Sequence, residues 1–275
     1  MPEQLPNRDF LEQMIRKAGA LTLQYFQKSF QFKEKGDNQG IVTDADFASE
    51  NLIKQEIHSL FPDHDILAEE SGHSKYASSA SQSKIPLWII DPLDGTTNFS
   101  KGNPYYCISV AFGACLKGRF HAQLGAIYQP TTNRLYIAEK GKGSFLNGNK
   151  MSISKLTSLH LASIATGFSS NKGKNLIPVS KTIAEIQNRT LGLRINGAAA
   201  LDLAHLAEGI FDGFYEHPLA PWDMAAGSLL IEEAGGKVTN FYGEEFCPLN
   251  DRGIISSNEY LFNELFNIIK DNYEL

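Results

Sequence analysis

The chain has 275 residues, a little under two domains of the roughly 150-residue size usual for one hydrophobic core. With 42% hydrophobic, 11% aromatic and 20% charged residues it is excluded from the disordered, collagenous and disulfide-scaffolded classes, and a fold that rests on packing is required. A formal charge of −6 removes the net basic attraction to a phosphate backbone, so nucleic acid is not the expected partner and a small ligand is.

Apolar residues Leu11, Ile15, Ala18, Leu21 and Tyr25 recur at spacings of three and four and predict a first helix over residues 8–30. A polar break at 35–40 precedes Thr43-Asp44, either of which caps a second helix over 47–61. Strand-like runs follow at 65–68, 87–90, 105–116, 123–128 and 134–138. The turn-formers Lys117-Gly118 and Pro130-Thr-Thr-Asn133 join the later runs into an antiparallel meander, and Asn147-Gly148-Asn149 marks a hairpin. The low-complexity stretch 77–83 reads as a surface loop. Beyond Met151, strands at 161–166, up to Ile195 and at 210–215 alternate with helices at 179–188, 198–207 and from Trp222-Asp223 to Gly235-Gly236, before a last helix over 258–273. That alternation predicts an α/β C-terminal half, residues 151–275, set against an α+β N-terminal half, residues 1–150, in one integrated unit. Cys107, Cys115 and Cys247 lack metal-site spacing and read as buried small apolar side chains in a reducing cytoplasm. The longest mostly apolar stretch, 107–116, is short of the roughly 20 residues of a membrane span, so no membrane contact is expected.

Three acidic features carry the chemistry. Glu69 and Glu70 stand where a short apolar strand stops. In Trp88-Ile-Ile-Asp91-Pro-Leu-Asp94-Gly-Thr-Thr-Asn-Phe99 an apolar strand runs into two aspartates three apart. The proline between them fixes φ and has no N–H, so such a turn can aim both carboxylates and the Leu93 carbonyl at one spot. Gly95 and Thr96 follow where a helical turn can begin and offer backbone amides to an anion. Asp223 stands at the mouth of a helix and, taken alone, reads as its cap. Gathered without a counter-ion, these carboxylates would raise one another's pKa, so their convergence implies bound cations. An all-oxygen ligand set that shares its ion with phosphate and water favours Mg²⁺ over Zn²⁺. Other phosphate chemistries lack their residues. The aspartates are three apart, not the two of a haloacid-dehalogenase phosphatase, and no Cys-x5-Arg, Arg-His-Gly, P-loop or Gly-x-Ser-x-Gly is present. What remains is attack on phosphorus by metal-activated water.

Asp91-Pro-Leu-Asp-Gly-Thr-Thr-Asn-Phe99 and Trp222-Asp-Met-Ala-Ala-Gly-Ser-Leu-Leu-Ile-Glu-Glu-Ala-Gly-Gly236 closely resemble the two signatures of the inositol monophosphatase family, and Glu69-Glu70-Ser71 and Val42-Thr-Asp-Ala-Asp46 match its lesser motifs in order. The resemblance covers nearly the whole chain. It implies a layered α-β-α-β-α sandwich of the inositol monophosphatase and fructose-1,6-bisphosphatase type, and Mg²⁺-dependent hydrolysis of phosphomonoesters. It also implies a homodimer and inhibition by lithium. By motif position, Glu69, Asp91 and the Leu93 carbonyl resemble ligands of one Mg²⁺ ion, and Asp91, Asp94 and Asp223 ligands of a second. Gly40 stands where many members carry an acidic residue that supports a third. Thr96, oriented by Asp46, and Glu69 resemble the residues that position the attacking water. Gly95 and Thr96 would bind phosphate through their amides, and Gly197, Ala198, Ala199, Glu216 and Asp223 would face the alcohol. Ala198 departs from the usual serine or threonine, while Thr97 sides with the inositol type against the lysine of nucleotide-type relatives. The resemblance points first to inositol 1-phosphate. It leaves fructose 1,6-bisphosphate, histidinol phosphate and 3′-phosphoadenosine 5′-phosphate as alternative substrates, and a transcription-complex protein partner as a rival role.

Overall fold

The computed structural model describes residues 5–26, 33–34, 41–73, 84–168 and 176–272. Residues 27–30 of the expected first helix, Gly40 and the stretch 77–83 lie outside them. Helix α1 (Arg8–Tyr25) starts behind Asn7, whose side chain accepts from the Phe10 amide at 2.9 Å, and α2 (Asp44–Leu60) starts behind Thr43. Between them β1 (Lys33–Glu34) and β2 (Ile41–Val42) pair antiparallel.

The first large sheet contains β3 (Asp65–Ala68), β4 (Gly72–His73), β5 (Ile85–Asp94), β6 (Cys107–Leu116), β7 (Arg119–Gln129), β8 (Arg134–Glu139), β9 (Gly143–Leu146) and β10 (Asn149–Lys150). Its order is β10-β9-β8-β7-β6-β5-β3-β4, with β3 parallel to β5 and the run from β5 to β10 an antiparallel meander as the turn residues predict. Asn147 and Gly148 take φ of 47° and 85°, the left-handed pair that a two-residue hairpin needs. Alternation along the strands sorts the side chains. Ile66, Trp88, Ile90, Ile108 and Val110 pack with Leu11, Ile15, Ile53 and Ile57 of α1 and α2, while Leu67, Leu87, Ile89 and Ala111 face the other way. All three cysteines are buried and free.

The short helix α3 (Thr96–Ser100) follows β5. The second sheet is built from β11 (Ser163–Thr166), β12 (Gly192–Ile195), β13 (Gly213–Glu216), β14 (Lys237–Thr239) and β15 (Ile254–Ser257), in the order β12-β11-β13-β15-β14. β11 is parallel to β12 and β13, and β15 is antiparallel to β13 and β14. Helices α5 (Ala199–Glu208) and α6 (Pro221–Glu233) fill the space between the sheets: Leu203, Leu206, Met224 and Leu230 share one core with Ile89 of the first sheet and Ala165, Phe214 and Ile254 of the second. Helices α4 (Leu176–Arg189) and α7 (Glu259–Asn272) cover the outer face of the second sheet through Val179, Ile186, Leu265 and Ile269. The layers are therefore α-β-α-β-α, the expected sandwich. Among the described residues no helix is long and apolar enough to cross a membrane.

Candidate active site

Asp91 and Asp94 would point to opposite faces of a regular strand, because side chains alternate with a period of two. The register prevents this. Asp91 pairs with Ser109 and Asp94 with Cys107, so three steps on β5 meet two on β6. The extra residue is a bulge, which bends the strand and turns Asp94 to the side of Asp91, toward α5. Around it the Leu93 amide donates to Asp91 Oδ1 at 3.0 Å, the Ser49 hydroxyl donates to the Pro92 carbonyl at 2.8 Å, and the Ala200 amide of α5 donates to Asp94 Oδ2 at 2.8 Å. Gly95 has φ of 91°, and a Cβ there would lie 3.0 Å from the Tyr105 carbonyl, so both conformation and space require glycine.

Asp46 closes the first turn of α2. Its Oδ2 accepts from the Thr43 amide at 2.9 Å and from the Thr43 hydroxyl, while its Oδ1 lies 3.1 Å from the Thr96 hydroxyl. The same hydroxyl is 3.1 Å from the Leu93 carbonyl, so one proton serves two acceptors. Burial lifts the Asp46 carboxyl to about 6 against the opposing pull of the Thr43 and Thr96 donors. Asp223 is not the N-cap of α6, a place taken by Ala220, but its third residue, and its Oδ2 reaches back to accept from the Ala220 amide at 2.8 Å. Glu216 ends β13, buried, with its carboxylate against Gly167, where a Cβ would come within 2.3 Å of Oε2.

These groups feel one another. Burial raises the Asp91 carboxyl well above its ordinary value, the charges of Glu69, Asp94 and Asp223 add to the rise, and Glu69 also shares a side-chain hydrogen bond with it. Burial lifts Asp94 to about 7, with the Glu69 charge adding and the Ala200 and Leu201 amides opposing. Glu216 is raised by burial and then by Asp223, Asp202 and Asp94. Among the described residues no group of three or more His, Cys, Asp or Glu side chains is arranged to hold a metal ion as it stands. What distinguishes the cluster is its charge and its donor chemistry: all oxygen, mutually repelling, and with Glu69 and Asp91 side by side. That is the chemistry of a site for a hard divalent cation.

A cleft of about 730 Å³ brings together Glu69, Asp94, Gly197, Ala198, Ala199, Glu216 and Asp223. Asp46, Asp91, Leu93, Gly95 and Thr96 are not on its wall; Asp91 adjoins it through Glu69 and Asp94, and Asp46 is bonded to Thr96 behind it. The wall also holds Trp222 of the second signature, together with Asp202, Phe168 and Arg252, which the sequence motifs do not single out. A visible signal for Asp202 is a carboxylate inside the apolar run Ala200-Leu-Asp-Leu-Ala204.

The sequence matches the model of the inositol monophosphatase family over residues 4–273. The chain belongs to this family. It is 38% identical over 264 residues to a putative Nus factor SuhB of Neisseria meningitidis, covering 94% of this chain and 92% of the relative. It is 39% identical over 233 residues to an inositol-1-monophosphatase of Rhizobium meliloti, covering 83% and 82%. The crystal structure of the extragenic suppressor protein suhB from Bartonella henselae superposes with a TM-score of 0.86 at 32% identity, over 96% of this chain and 98% of that one. An IMPase/NADP phosphatase complexed with Mg²⁺ and phosphate superposes with a TM-score of 0.77 at 26% identity, over 94% and 92%. Family membership implies phosphatase activity.

Proposed function

We propose that the protein is a Mg²⁺-dependent phosphomonoesterase of small phosphorylated polyols, with myo-inositol 1-phosphate as the preferred substrate. The observation that carries this reading is the set of oxygen-only carboxylates raising one another's pKa on and behind one cleft wall, in a chain of this family. The related phosphatase bound to Mg²⁺ and phosphate supports the choice of ion. Glu69, Asp91 and the Leu93 carbonyl would hold one ion, and Asp91, Asp94 and Asp223 another. Bound there, Mg²⁺ supplies Lewis acidity toward the phosphoryl group and cancels the mutual repulsion of the carboxylates.

The rest belongs to the chain's own residues. The Thr96 hydroxyl, directed by Asp46, and the Glu69 carboxylate orient a water toward phosphorus for in-line attack. The Gly95 and Thr96 amides bind phosphate oxygens. Gly197, Ala198, Ala199, Glu216 and Asp223 face the alcohol. We place the protein in a reducing cytoplasm on the strength of its free cysteines, and as a homodimer inhibited by lithium, as the family resemblance implies.

Phosphate release from inositol 1-phosphate, fructose 1,6-bisphosphate, 3′-phosphoadenosine 5′-phosphate and histidinol phosphate, each with Mg²⁺ or EDTA, tests the reading. Release that needs Mg²⁺ and is fastest with inositol 1-phosphate is expected. Preference for another ester would keep the chemistry and change the substrate, and no release from a folded protein would defeat both. The relative named a putative Nus factor favours a second reading, in which the protein binds a transcription complex through protein contacts. Stoichiometric co-purification with RNA polymerase, retained in D91N, is the result that would support it.

A further inference from the structure

Asp202 lies on the first turn of α5, 1% exposed, between the wholly buried Leu201 and Leu203. A carboxylate so placed is costly unless donors reach it. Two do, and both reach the same oxygen: the Tyr105 hydroxyl and Asn196 Nδ2, the latter at 2.7 Å, donate to Oδ1. Among the described residues no hydrogen bond is made to Oδ2, although Asp202 stands on the cleft wall with Ala198, Ala199 and Glu216. The tethers are themselves anchored, because Asn98 Nδ2 donates to the Tyr105 and Asn196 carbonyls, each at 2.8 Å. The carboxylate is thus fixed by one oxygen before any ligand arrives, and the other is left to the cleft. An acceptor held in this way loses little rotamer freedom when a ligand donates to it.

We infer that Asp202 determines specificity in the proposed phosphatase: its Oδ2 accepts a hydrogen bond from a hydroxyl of the alcohol part of the substrate and selects phosphorylated polyols over phosphomonoesters of apolar alcohols. The inference rests on the phosphomonoesterase reading. Glu216, buried on the same wall, is a second acceptor for a polyol and gives an apolar ring no partner. A ring without hydroxyls would strip water from both carboxylates and return nothing, the situation in which hydrogen-bonding sites discriminate most strongly.

The test uses the full chain with Mg²⁺ at about pH 8.5, where Asp202 is ionised, and two esters that share ring and phosphate and differ in hydroxyls, myo-inositol 1-phosphate and cyclohexyl phosphate. If cyclohexyl phosphate turns over too slowly, its affinity is read as a competitive inhibitor. D202N preserves an oxygen for Tyr105 and Asn196 and replaces the cleft-facing acceptor with a donor. The preference for the inositol ester should fall about tenfold or more, the range for a hydrogen bond to a charged group, and mainly through KM. Equal losses on both esters would reduce Asp202 to a tether of the 196–199 segment, and an unchanged preference would remove it from the alcohol site; either overturns the inference. If D202N does not fold, Y105F takes its place. It keeps the carboxylate but frees one tether, so the preference should fall in the same direction, and an unchanged preference overturns the inference. Failure of the wild-type protein to act on either ester would instead sink the phosphomonoesterase reading, and the inference with it.

Discussion

A single inserted residue between Asp91 and Asp94 converts two side chains that strand geometry would separate into neighbours on one face. Their closeness is costly unless a cation offsets it, since burial and the nearby carboxylates raise both. Asp91→Asn removes that cost together with a proposed ion ligand. Phosphate release should fall by about a thousandfold, the scale of losing a group that acts in the transition state, while the melting temperature in EDTA holds or rises. A variant that keeps its activity would contradict the site assignment. Thr96 allows a finer cut. T96V keeps the shape but gives Asp46 and Leu93 no hydroxyl proton, so kcat should drop about a hundredfold with KM little changed, and T96S should recover most of it. A loss confined to KM would instead make Thr96 a binding group.

Helix α6 shows how an element carries a site. Its residues from Met224 to Ile231 are all buried, so it has no solvent face, as expected of a helix packed between two sheets. It approaches α5 so closely that a Cβ on Gly227 would lie 2.6 Å from Leu203 Cβ. G227A should therefore cost about 1–3 kcal/mol in denaturant unfolding. Activity should fall more than the population of folded protein, because α6 carries Asp223 and α5 carries the Ala200 amide that holds Asp94. Losses in proportion to folding alone would detach the helix spacing from catalysis. Most elements were legible at this scale. The three-and-four spacing of α1, the Thr43 cap and the turn residues of the meander are local signals, written within a few residues. β14 and β15 were not expected: they are three and four residues long, half polar, and take their pairing from β13. The bulge was hidden because it depends on the register of β6. The Asp202 tether was hidden because Tyr105 is 97 residues away in the chain. The motifs named the acidic cluster, and only packing could reveal what stands around it.

The whole molecule couples this site to its stability, since the carboxylates come from different layers: Asp91 and Asp94 from the first sheet, Asp202 and Asp223 from the central helices, and Glu216 from the second sheet. Their repulsion is therefore borne across the interfaces that folding forms. Asp94 and Asp202 are lifted from 3.8 to about 7, and Asp46 to about 6, with burial the largest cause in each. Between pH 4 and 7, roughly, the folded protein keeps protons that the unfolded chain has already released. More protons bound in the folded state means that stability falls as pH rises through this window, opposite to the usual salt-bridged carboxylate. In EDTA the midpoint of urea unfolding should decline from pH 5 to pH 8. Saturating Mg²⁺ should flatten that decline by supplying the charge the protons had supplied, and at a hundredfold excess over its Kd it should add about 2.7 kcal/mol for each ion bound at about pH 7.5. The double variant D91N/D94N should show a shallower decline in EDTA and little response to Mg²⁺. A pH-independent midpoint in the metal-free wild-type protein would mean that the carboxylates are relieved by other means, and a rise with pH would reverse the sign of the coupling.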